Sequence, residues 1–298
     1  MVTGLTLDIA GRRMRVEGPG MPGLLREVPG FGVFEVEEGA GYDWTIRMTD
    51  EAGDATMLEE ARRRSSVLHS FDLEIDHSHC CLGRDGESYT VCIWSDLRGS
   101  DRLTAVCRPD GTALMSATDN MGWLRFALWM VFTLFATPKG MTPIHASTVV
   151  WHGKAVLCLG ESGTGKSTHT RLWLDNIEGS RLLNDDSPIL CPTAAETMVY
   201  GSPWSGKTPC YHNVGAPVAA IVRLSQAPYN KIERLGTIQA LGALYPSCPP
   251  ALAYDSGYTD HVVALLGNVI QHTPIYHLEC LPDKDAATLC RDTVFGKV

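Results

Sequence analysis

The sequence predicts an α/β protein, α+β over its whole length, with a β-rich region at residues 1–120 followed by an α/β region at residues 121–298. Two observations predict this division. Short runs of alternating apolar and polar residues, separated by turn residues, fill the first region. From Ile144 onward the pattern changes to an apolar strand, a glycine-rich loop and a helix in quick succession. A hydrophobic content of 44% with 20% charged residues is ordinary for a globular chain.

The β-rich region opens with a predicted hairpin. Residues 5–9 and 13–17 alternate in hydrophobicity around the turn Ala10-Gly11-Arg12. Turn signals such as Asp85-Gly86 and Pro109-Asp110-Gly111 divide the rest of the region. Further short strands are expected at residues 44–48, 71–75, 88–94 and 102–108.

A long apolar helix is predicted at residues 121–137, with the sequence MGWLRFALWMVFTLFAT. The segment is shorter than the roughly 20 apolar residues that a membrane span needs, and Arg125 interrupts it. We therefore expect a core helix, ended by Pro138-Lys139-Gly140, and no membrane partner.

The most informative motif is a phosphate-binding loop of the form GxxxxGK[ST], which spans Gly160 to Ser167. In such a loop the backbone N–H groups surround the β-phosphate, Lys166 reaches the β- and γ-oxygens, and the Ser167 hydroxyl binds Mg²⁺. An apolar strand at residues 154–159 precedes the loop, and a helix at 167–175 follows it, with its N-terminus directed at the phosphates. This order argues against a chance match in a Gly/Ser-rich loop. The expected cofactors are ATP and Mg²⁺, and the expected nucleotide contacts are Gly160, Ser162, Gly163, Thr164, Gly165, Lys166, Ser167 and Thr168.

A carboxylate pair, Asp185 and Asp186, ends the next short apolar run. On a strand beside the phosphate loop, these side chains face the γ-phosphate, where one carboxylate binds Mg²⁺ and a second accepts a proton from an attacking hydroxyl. Adjacent strand residues point to opposite faces. One Asp is therefore expected to take the metal or base role and the other to anchor the loop, unless the strand has already ended. The alternative is a solvated turn, because Asn-Asp-Asp-Ser-Pro is also good turn chemistry.

Residues 200–217 are rich in Gly, Pro and Ser and are expected to form a long functional loop. Lys207 in this loop offers a cation that offsets charge on the transferred γ-phosphoryl group. Trp204 either stacks on the base or a substrate group, or anchors the loop as its hydrophobic residue.

The remaining elements are a strand at 218–224, helices at 237–246 and 259–270, a strand at 275–278 and a helix at 282–292.

Ile144-His145-Ala146-Ser147, the loop GESGTGKST and the run LLNDDSP, in this order, resemble the HPr kinase/phosphorylase group of the phosphoenolpyruvate carboxykinase-like P-loop superfamily. The resemblance covers mainly residues 144–190. It implies a P-loop carboxykinase-like C-terminal core that follows the β-rich region in the sequence. It also implies that Lys166 and Ser167 bind phosphates and Mg²⁺, that the Asp pair supplies metal ligation and the general base, and that His145 belongs to the site. From the residues alone, a lone histidine such as His145 is more often a core residue.

Residues 200–210 differ from the downstream signature of HPr kinases, an acidic residue and Arg-Gly within a glycine-rich turn, so HPr is not the expected acceptor. The chain is more similar to HPr-kinase-related proteins, some of which phosphorylate serine on peptides. The expected activity is transfer of the γ-phosphate of ATP to a hydroxyl of a peptide, a protein or a small metabolite. Two alternatives stay open: a P-loop NTPase or nucleotide-regulated switch, and a carboxykinase-like enzyme.

Charge and cysteine usage limit the remaining partners. A net charge of −9 argues against a nucleic-acid partner. Ten scattered cysteines and the absence of a signal-peptide pattern predict reduced thiols in a cytoplasmic protein. The string His77-Ser78-His79-Cys80-Cys81 lacks the paired spacing of zinc sites, although alternating His77, His79 and Cys81 would line one face of a strand, so whether it binds a metal is left open. Whether the chain forms a homo-oligomer is left open.

Overall fold

The computed structural model describes residues 4–39, 41–206 and 208–297. By their contacts these residues form two compact units. The first contains residues 4–136 with 251–255, and the second contains residues 137–250 with 256–297. The sequence-based division lies at 120/121, whereas the helix that follows residue 120 packs on strands of the first unit. The fold is mixed α/β, with two large mixed sheets and seven α-helices among the described residues.

The described part of the first unit is built on a nine-stranded sheet with the order β3-β1-β2-β4-β9-β8-β7-β6-β5 once its strands are numbered along the chain. The strands are β1 (Gly4–Ile9), β2 (Arg12–Glu17), β3 (Glu35–Val36), β4 (Trp44–Thr49), β5 (Ser66–Leu73), β6 (Ser78–Asp85), β7 (Ser88–Ser95), β8 (Arg102–Cys107) and β9 (Thr112–Ser116). The helices of this unit are α1 (Met21–Glu27), α2 (Ala52–Arg64) and α3 (Met121–Ala136).

The predicted N-terminal hairpin is confirmed. β1 and β2 pair antiparallel, with Leu7 opposite Met14 and Leu5 opposite Val16. All four side chains are buried, so alternation along both strands places one apolar face in the core. Gly11 at φ 76° supplies the left-handed backbone that closes the turn.

The strands predicted at 44–48, 88–94 and 102–108 are also present as β4, β7 and β8. The strand predicted at 71–75 is displaced, because β5 spans Ser66–Leu73 and a turn follows it. Helices α1 and α2 were not predicted. α2 buries only Leu58 and Ala61 among its described residues, so its sequence carries almost no apolar periodicity. α1 has Pro22 in its first turn, where the missing N–H costs nothing but the sequence resembles a loop.

The predicted apolar helix is present as α3 and serves as a core element of the first unit. Its buried side chains include Trp123, Leu128 and Phe132. Trp123 Nε1 donates a 2.7 Å hydrogen bond to Ser78 Oγ, so the indole is satisfied inside the core. Together with the following turn, Met121–Lys139 is long and apolar enough to cross a membrane by length and composition, and 67% of its apolar stretch is buried within the protein. This burial favours a core helix.

The described part of the second unit also has a nine-stranded sheet. Its strands are β10 (Thr142–Pro143), β11 (Ala146–Trp151), β12 (Lys154–Leu159), β13 (Arg181–Asp186), β14 (Ile189–Pro192), β15 (Thr197–Tyr200), β16 (Gly215–Gln226), β17 (Lys231–Arg234) and β18 (Ile275–Cys280). The helices are α4 (Lys166–Asn176), α5 (Thr237–Leu244), α6 (Ser256–His272) and α7 (Lys284–Phe295). The order is β10-β14-β15-β16-β12-β11-β13, and β18 pairs with β16 and β17. The elements predicted for this region from residue 154 to residue 292 are confirmed, with small shifts at their ends.

One expectation about strand order is wrong. The carboxylate strand β13 is not next to the loop strand β12, because antiparallel β11 lies between them. A tight turn through His152 and Gly153, both at positive φ, joins β11 to β12 and makes these two strands neighbours. The core beneath the sheet contains Val156, Trp173 and Leu278, which fix α4 and α7 against the strands.

Candidate functional site

Three chain segments meet at one edge of the second sheet. Ala146 at the start of β11 lies opposite Leu159 at the end of β12 and opposite Asp186 at the end of β13. Because β11 is antiparallel to both neighbours, its first residue lies beside their last ones. His145, the phosphate loop after Leu159 and the carboxylate pair are therefore brought to the same edge.

The phosphate loop has the backbone that its glycines predict. Gly160 occupies φ 151°, and an added Cβ would collide with the Thr164 hydroxyl. Gly163 and Gly165 lie at φ 82° and φ 103°, and Gly165 is the residue from which α4 starts. The Lys166 ammonium donates to the carbonyl oxygens of Gly160 at 2.7 Å and of Glu161 at 3.1 Å. The loop thus presents a helix N-terminus and a positioned cation, the arrangement that binds phosphate groups.

The first carboxylate of the pair contacts the loop directly. Ser167 Oγ donates a 3.0 Å hydrogen bond to Asp185 Oδ1, and Asp185 is buried. A hydroxyl and a carboxylate oxygen at this separation are the hard oxygen donors that Mg²⁺ prefers. The residues present therefore fit Mg²⁺, with nucleotide phosphates and water supplying the remaining ligands.

The second carboxylate lies at the tip of the strand. Asp186 is half-buried and forms an isolated antiparallel bridge with Ser205. Its negative charge acts to raise the pKa of His145 and the pKa of Lys166. Asp185 is bonded to Ser167, and both carboxylates act on the histidine and the lysine, so the division of labour between the two stays a prediction.

His145 and Lys166 are electrostatically linked to each other. Desolvation by the surrounding protein lowers the pKa of His145, and the Lys166 cation lowers it further, while Asp186 and Asp185 oppose the change. Desolvation also lowers the pKa of Lys166, and the same two carboxylates oppose it. His145 is therefore biased toward the neutral imidazole, which is able to accept a proton or a hydrogen bond. The structure places this side chain at the exposed site edge and not in the core.

The side-chain amide of Asn184 anchors the segment before residue 207. Asn184, 0% exposed, places its Nδ2 within hydrogen-bond distance of the carbonyl oxygens of Ser202 (3.3 Å) and Trp204 (3.1 Å). Its Oδ1 accepts from Ser187 N at 2.9 Å. Gly206 N donates to the Asp185 carbonyl oxygen at 2.7 Å, which ties the segment to the carboxylate strand.

Two expectations about this segment have different outcomes. Trp204 is 3% exposed, so the stacking role is wrong and the anchoring role is favoured. An indole held in the core offers no face to a base or substrate group. Lys207 lies outside the described residues, and its role as the cation near the γ-phosphoryl group stays a prediction.

The structure shows two residues that sequence reasoning missed. His169 on α4 is buried, and its Nε2 accepts a 3.2 Å hydrogen bond from Trp173 Nε1, a pairing that their i, i+4 spacing signals. Burial lowers the pKa of His169 to about 4, and its Nδ1 has no hydrogen-bond partner among the described residues. Gln226, at the end of β16, donates from Nε2 to the Gly163 carbonyl oxygen at 3.2 Å. The sequence signal for Gln226 is its position at the end of a strand, because β16 runs parallel to β12 and ends at the same sheet edge.

The side chains of the string at residues 77–81 point to different surroundings in the structure. Within the described residues, no group of three or more His, Cys, Asp or Glu side chains is arranged to hold a metal ion. His79 is bonded instead to Asp72 and Asp96, at 2.8 Å and 3.3 Å, while Cys80 is buried.

Comparison with known proteins leaves the family undecided. No protein-family model and no curated protein sequence matches this chain. Among solved structures, the chain is similar to the HPr(Ser) kinase/phosphatase from Coxiella burnetii, at 15% identity and a TM-score of 0.28, over 51% of this chain and 87% of that chain.

Asn184→Ala is expected to lower the free energy of unfolding by about 2 to 4 kcal/mol, because Ser187 N and the carbonyl oxygens of Ser202 and Trp204 each lose a buried hydrogen bond. Urea unfolding of the variant measures this. Asn213→Ala, in an exposed position, is the matched control and is expected to change stability by less than about 0.5 kcal/mol. Equal stability of both variants would contradict the anchoring role of Asn184.

His169 makes the stability depend on pH. Its folded pKa of about 4 lies below the ordinary value of 6.5, so only the unfolded chain binds a proton there between these values. The stabilisation is complete above pH 6.5 and is lost as the pH falls toward 4, by about 3 kcal/mol in total. His169→Gln keeps an acceptor for Trp173 and removes the titration. Urea unfolding across this range should therefore show a shallower decline for the variant, and identical slopes would rule out the buried neutral histidine.

Proposed function

We propose that this protein is a Mg·ATP-dependent kinase that transfers the γ-phosphate to a hydroxyl acceptor. The observation that carries the proposal is the Ser167–Asp185 hydrogen bond, 3.0 Å long, at an edge where Lys166, Asp186 and His145 also lie. A phosphate loop and a carboxylate pair in contact combine the phosphate-binding and proton-accepting functions that phosphoryl transfer needs.

Each residue has a distinct part in the proposed reaction. The N–H groups of the loop bind the phosphate oxygens, and Lys166 offsets the charge that develops on the transferred group. Ser167 and Asp185 hold Mg²⁺, which neutralises phosphate charge when bound. Asp186 accepts the proton of the attacking hydroxyl, and neutral His145 orients that hydroxyl by a hydrogen bond.

The β-rich region is proposed to select the acceptor, which is a serine of a peptide or protein, or a small hydroxylated metabolite. A cavity of about 310 Å³ on its sheet supports this assignment, since its size suits a small-molecule site and Arg62, Ser70 and Thr90 lie in its wall. We also propose a cytoplasmic location, which is supported by the ten cysteines, all of them free thiols in the structure.

Lys166→Ala is expected to lower phosphate transfer by at least about 100-fold, because a preorganised cation is removed from the developing charge. The free energy of unfolding should change little, since the hydrogen bonds of the ammonium go to two carbonyl oxygens of the loop. Lys154→Ala, on the exposed start of β12, is the matched control.

The assay for this prediction mixes the protein, Mg²⁺ and γ-labelled ATP with a size-fractionated cell extract. Label in a macromolecular or peptide fraction identifies a protein or peptide kinase, and label in a small-molecule fraction identifies a metabolite kinase. Label released only as free phosphate would favour the NTPase alternative, and undiminished transfer by Lys166→Ala would reject the proposal.

Substitutions of the two carboxylates are expected to change different kinetic properties. Asp185→Asn should raise the Mg²⁺ concentration needed for half-maximal activity, because it weakens a metal ligand. Asp186→Asn should lower kcat by about 10²- to 10⁴-fold with little change in Mg²⁺ requirement, because it removes the general base. Titrating Mg²⁺ at saturating ATP separates the two effects. The reverse pattern would exchange the assigned roles.

A further inference from the structure

Two cysteines face each other across neighbouring strands of the first unit. Cys81 on β6 lies directly opposite Cys92 on β7 in the antiparallel pairing. Residues opposite each other in such a pair project from the same face of the sheet, and their Cα atoms are about 4.5 or 5.5 Å apart. A disulfide needs a Cα separation of about 4.4 to 6.8 Å. The pairing of the strands therefore gives the backbone the spacing that a bond between the two sulfur atoms requires.

Both cysteines line the cavity of about 310 Å³ on this sheet, which gives small solutes a route to them. The two side chains differ in exposure, because Cys81 is half-buried whereas Cys92 is 6% exposed. Thr104 Oγ1 donates a 3.8 Å hydrogen bond to Cys92 Sγ, which fixes the position of the more buried sulfur. A small reagent that enters the cavity therefore meets Cys81 first.

A cation lies beside both thiols. Arg62 on α2 also lines the cavity, and its Nε and Nη2 donate hydrogen bonds of 2.8 and 2.7 Å to Glu59. These bonds raise the pKa of Arg62, and electrostatic attraction to Cys92 and Cys81 also acts to raise it. Because this attraction is mutual, a thiolate in the cavity has a cation beside it, which is the usual setting of a reactive cysteine. Arg102 lies in the same wall, so one carboxylate is set against two guanidinium groups.

In the described strand pairs, no other cysteine lies opposite a second cysteine. Cys80, the neighbour of Cys81 in the chain, lies opposite Ile93 and is 0% exposed. Cys191 is half-buried like Cys81, but the residue opposite it is Met198. These two cysteines therefore provide internal comparisons for the pair in the cavity.

We propose that Cys81 and Cys92 form a reversible modification site, in which a peroxide converts the two thiols into a disulfide. The Cys81 thiolate attacks one oxygen of hydrogen peroxide, the O–O bond breaks, hydroxide leaves and Cys81 becomes a sulfenic acid. The sulfur of Cys92 then attacks the sulfur of Cys81, and an S–S bond replaces the S–O bond. The departing hydroxide takes the Cys92 proton and leaves as water. Two thiols are oxidised by two electrons, and the peroxide is reduced to two molecules of water.

The disulfide changes the surface that the cavity offers. It joins β6 to β7 and replaces two S–H donors in the cavity wall with an apolar S–S group. A small thiol reverses the change by thiol–disulfide exchange. The inference does not depend on the kinase proposal, because the phosphate loop takes no part in it.

The test treats the full chain with hydrogen peroxide, blocks the remaining thiols with iodoacetamide and digests the product with trypsin for mass spectrometry. Trypsin places Cys81 in the fragment 65–84 and Cys92 in the fragment 85–98. The wild type should yield these two fragments joined, with a mass lower by two hydrogen atoms than their sum. Dithiothreitol added before digestion should separate them again.

Three variants assign the bond. Cys81→Ser is expected to lower the yield of joined fragments at least about tenfold, because only the buried Cys80 then remains in its fragment. Cys92→Ser should leave Cys81 as a sulfenic acid, which dimedone labels. Cys191→Ser is the matched control and should form the joined fragments as the wild type does.

Two outcomes would overturn the inference. One is the absence of joined fragments at every peroxide concentration that leaves the circular dichroism of the wild type unchanged. The other is an undiminished yield from Cys81→Ser, since the bond would then involve Cys80. If a variant does not fold, fragmentation of the joined wild-type peptides decides between Cys80 and Cys81 without it.

Discussion

The hydrogen bond between Ser167 and Asp185 is the interaction on which the arrangement of the site depends. It joins the first turn of α4 to the end of β13, two elements that are separated in the sheet by β11. A second hydroxyl pair, Ser147 with Thr170 at 2.9 Å, ties β11 itself to the same helix. α4 is thus bonded to two strands besides the one that leads into it. The helix N-terminus and the carboxylates are held at a separation that suits a small divalent cation.

The antiparallel strand β11, which lies between β12 and β13, affects the chemistry of the site as well as the order of the strands. A parallel strand in the same place would end near the loop, whereas β11 begins there and brings the residue before it, His145, to the site. The histidine is consequently close enough to Lys166 and the Asp pair for their charges to act on its pKa. Strand direction therefore decides which side chain joins the phosphate loop.

Local patterns were sufficient for the strand, loop and helix around residues 154–176 and for the first hairpin, because these depend on nearby residues and on glycine conformations. The carboxylate pair was recognised from its position at the end of an apolar run. The order of β12, β11 and β13 was not predicted, since it depends on long-range pairing that no local pattern encodes. Burial of Trp204 and the contact of Gln226 with the loop depend on tertiary packing in the same way. α2 was missed because Leu58 and Ala61 are its only buried residues among those described, so its sequence shows little apolar periodicity.

The Asn184 side chain also has an evolutionary consequence. Its amide supplies donors to the 202–204 backbone and an acceptor to Ser187, and no other side chain of that length offers both. Aspartate would lose the donors and add a third negative charge beside Asp185 and Asp186, while glutamine is one methylene too long for a site with no exposure. Position 184 is therefore expected to vary among homologues only together with the 202–204 backbone.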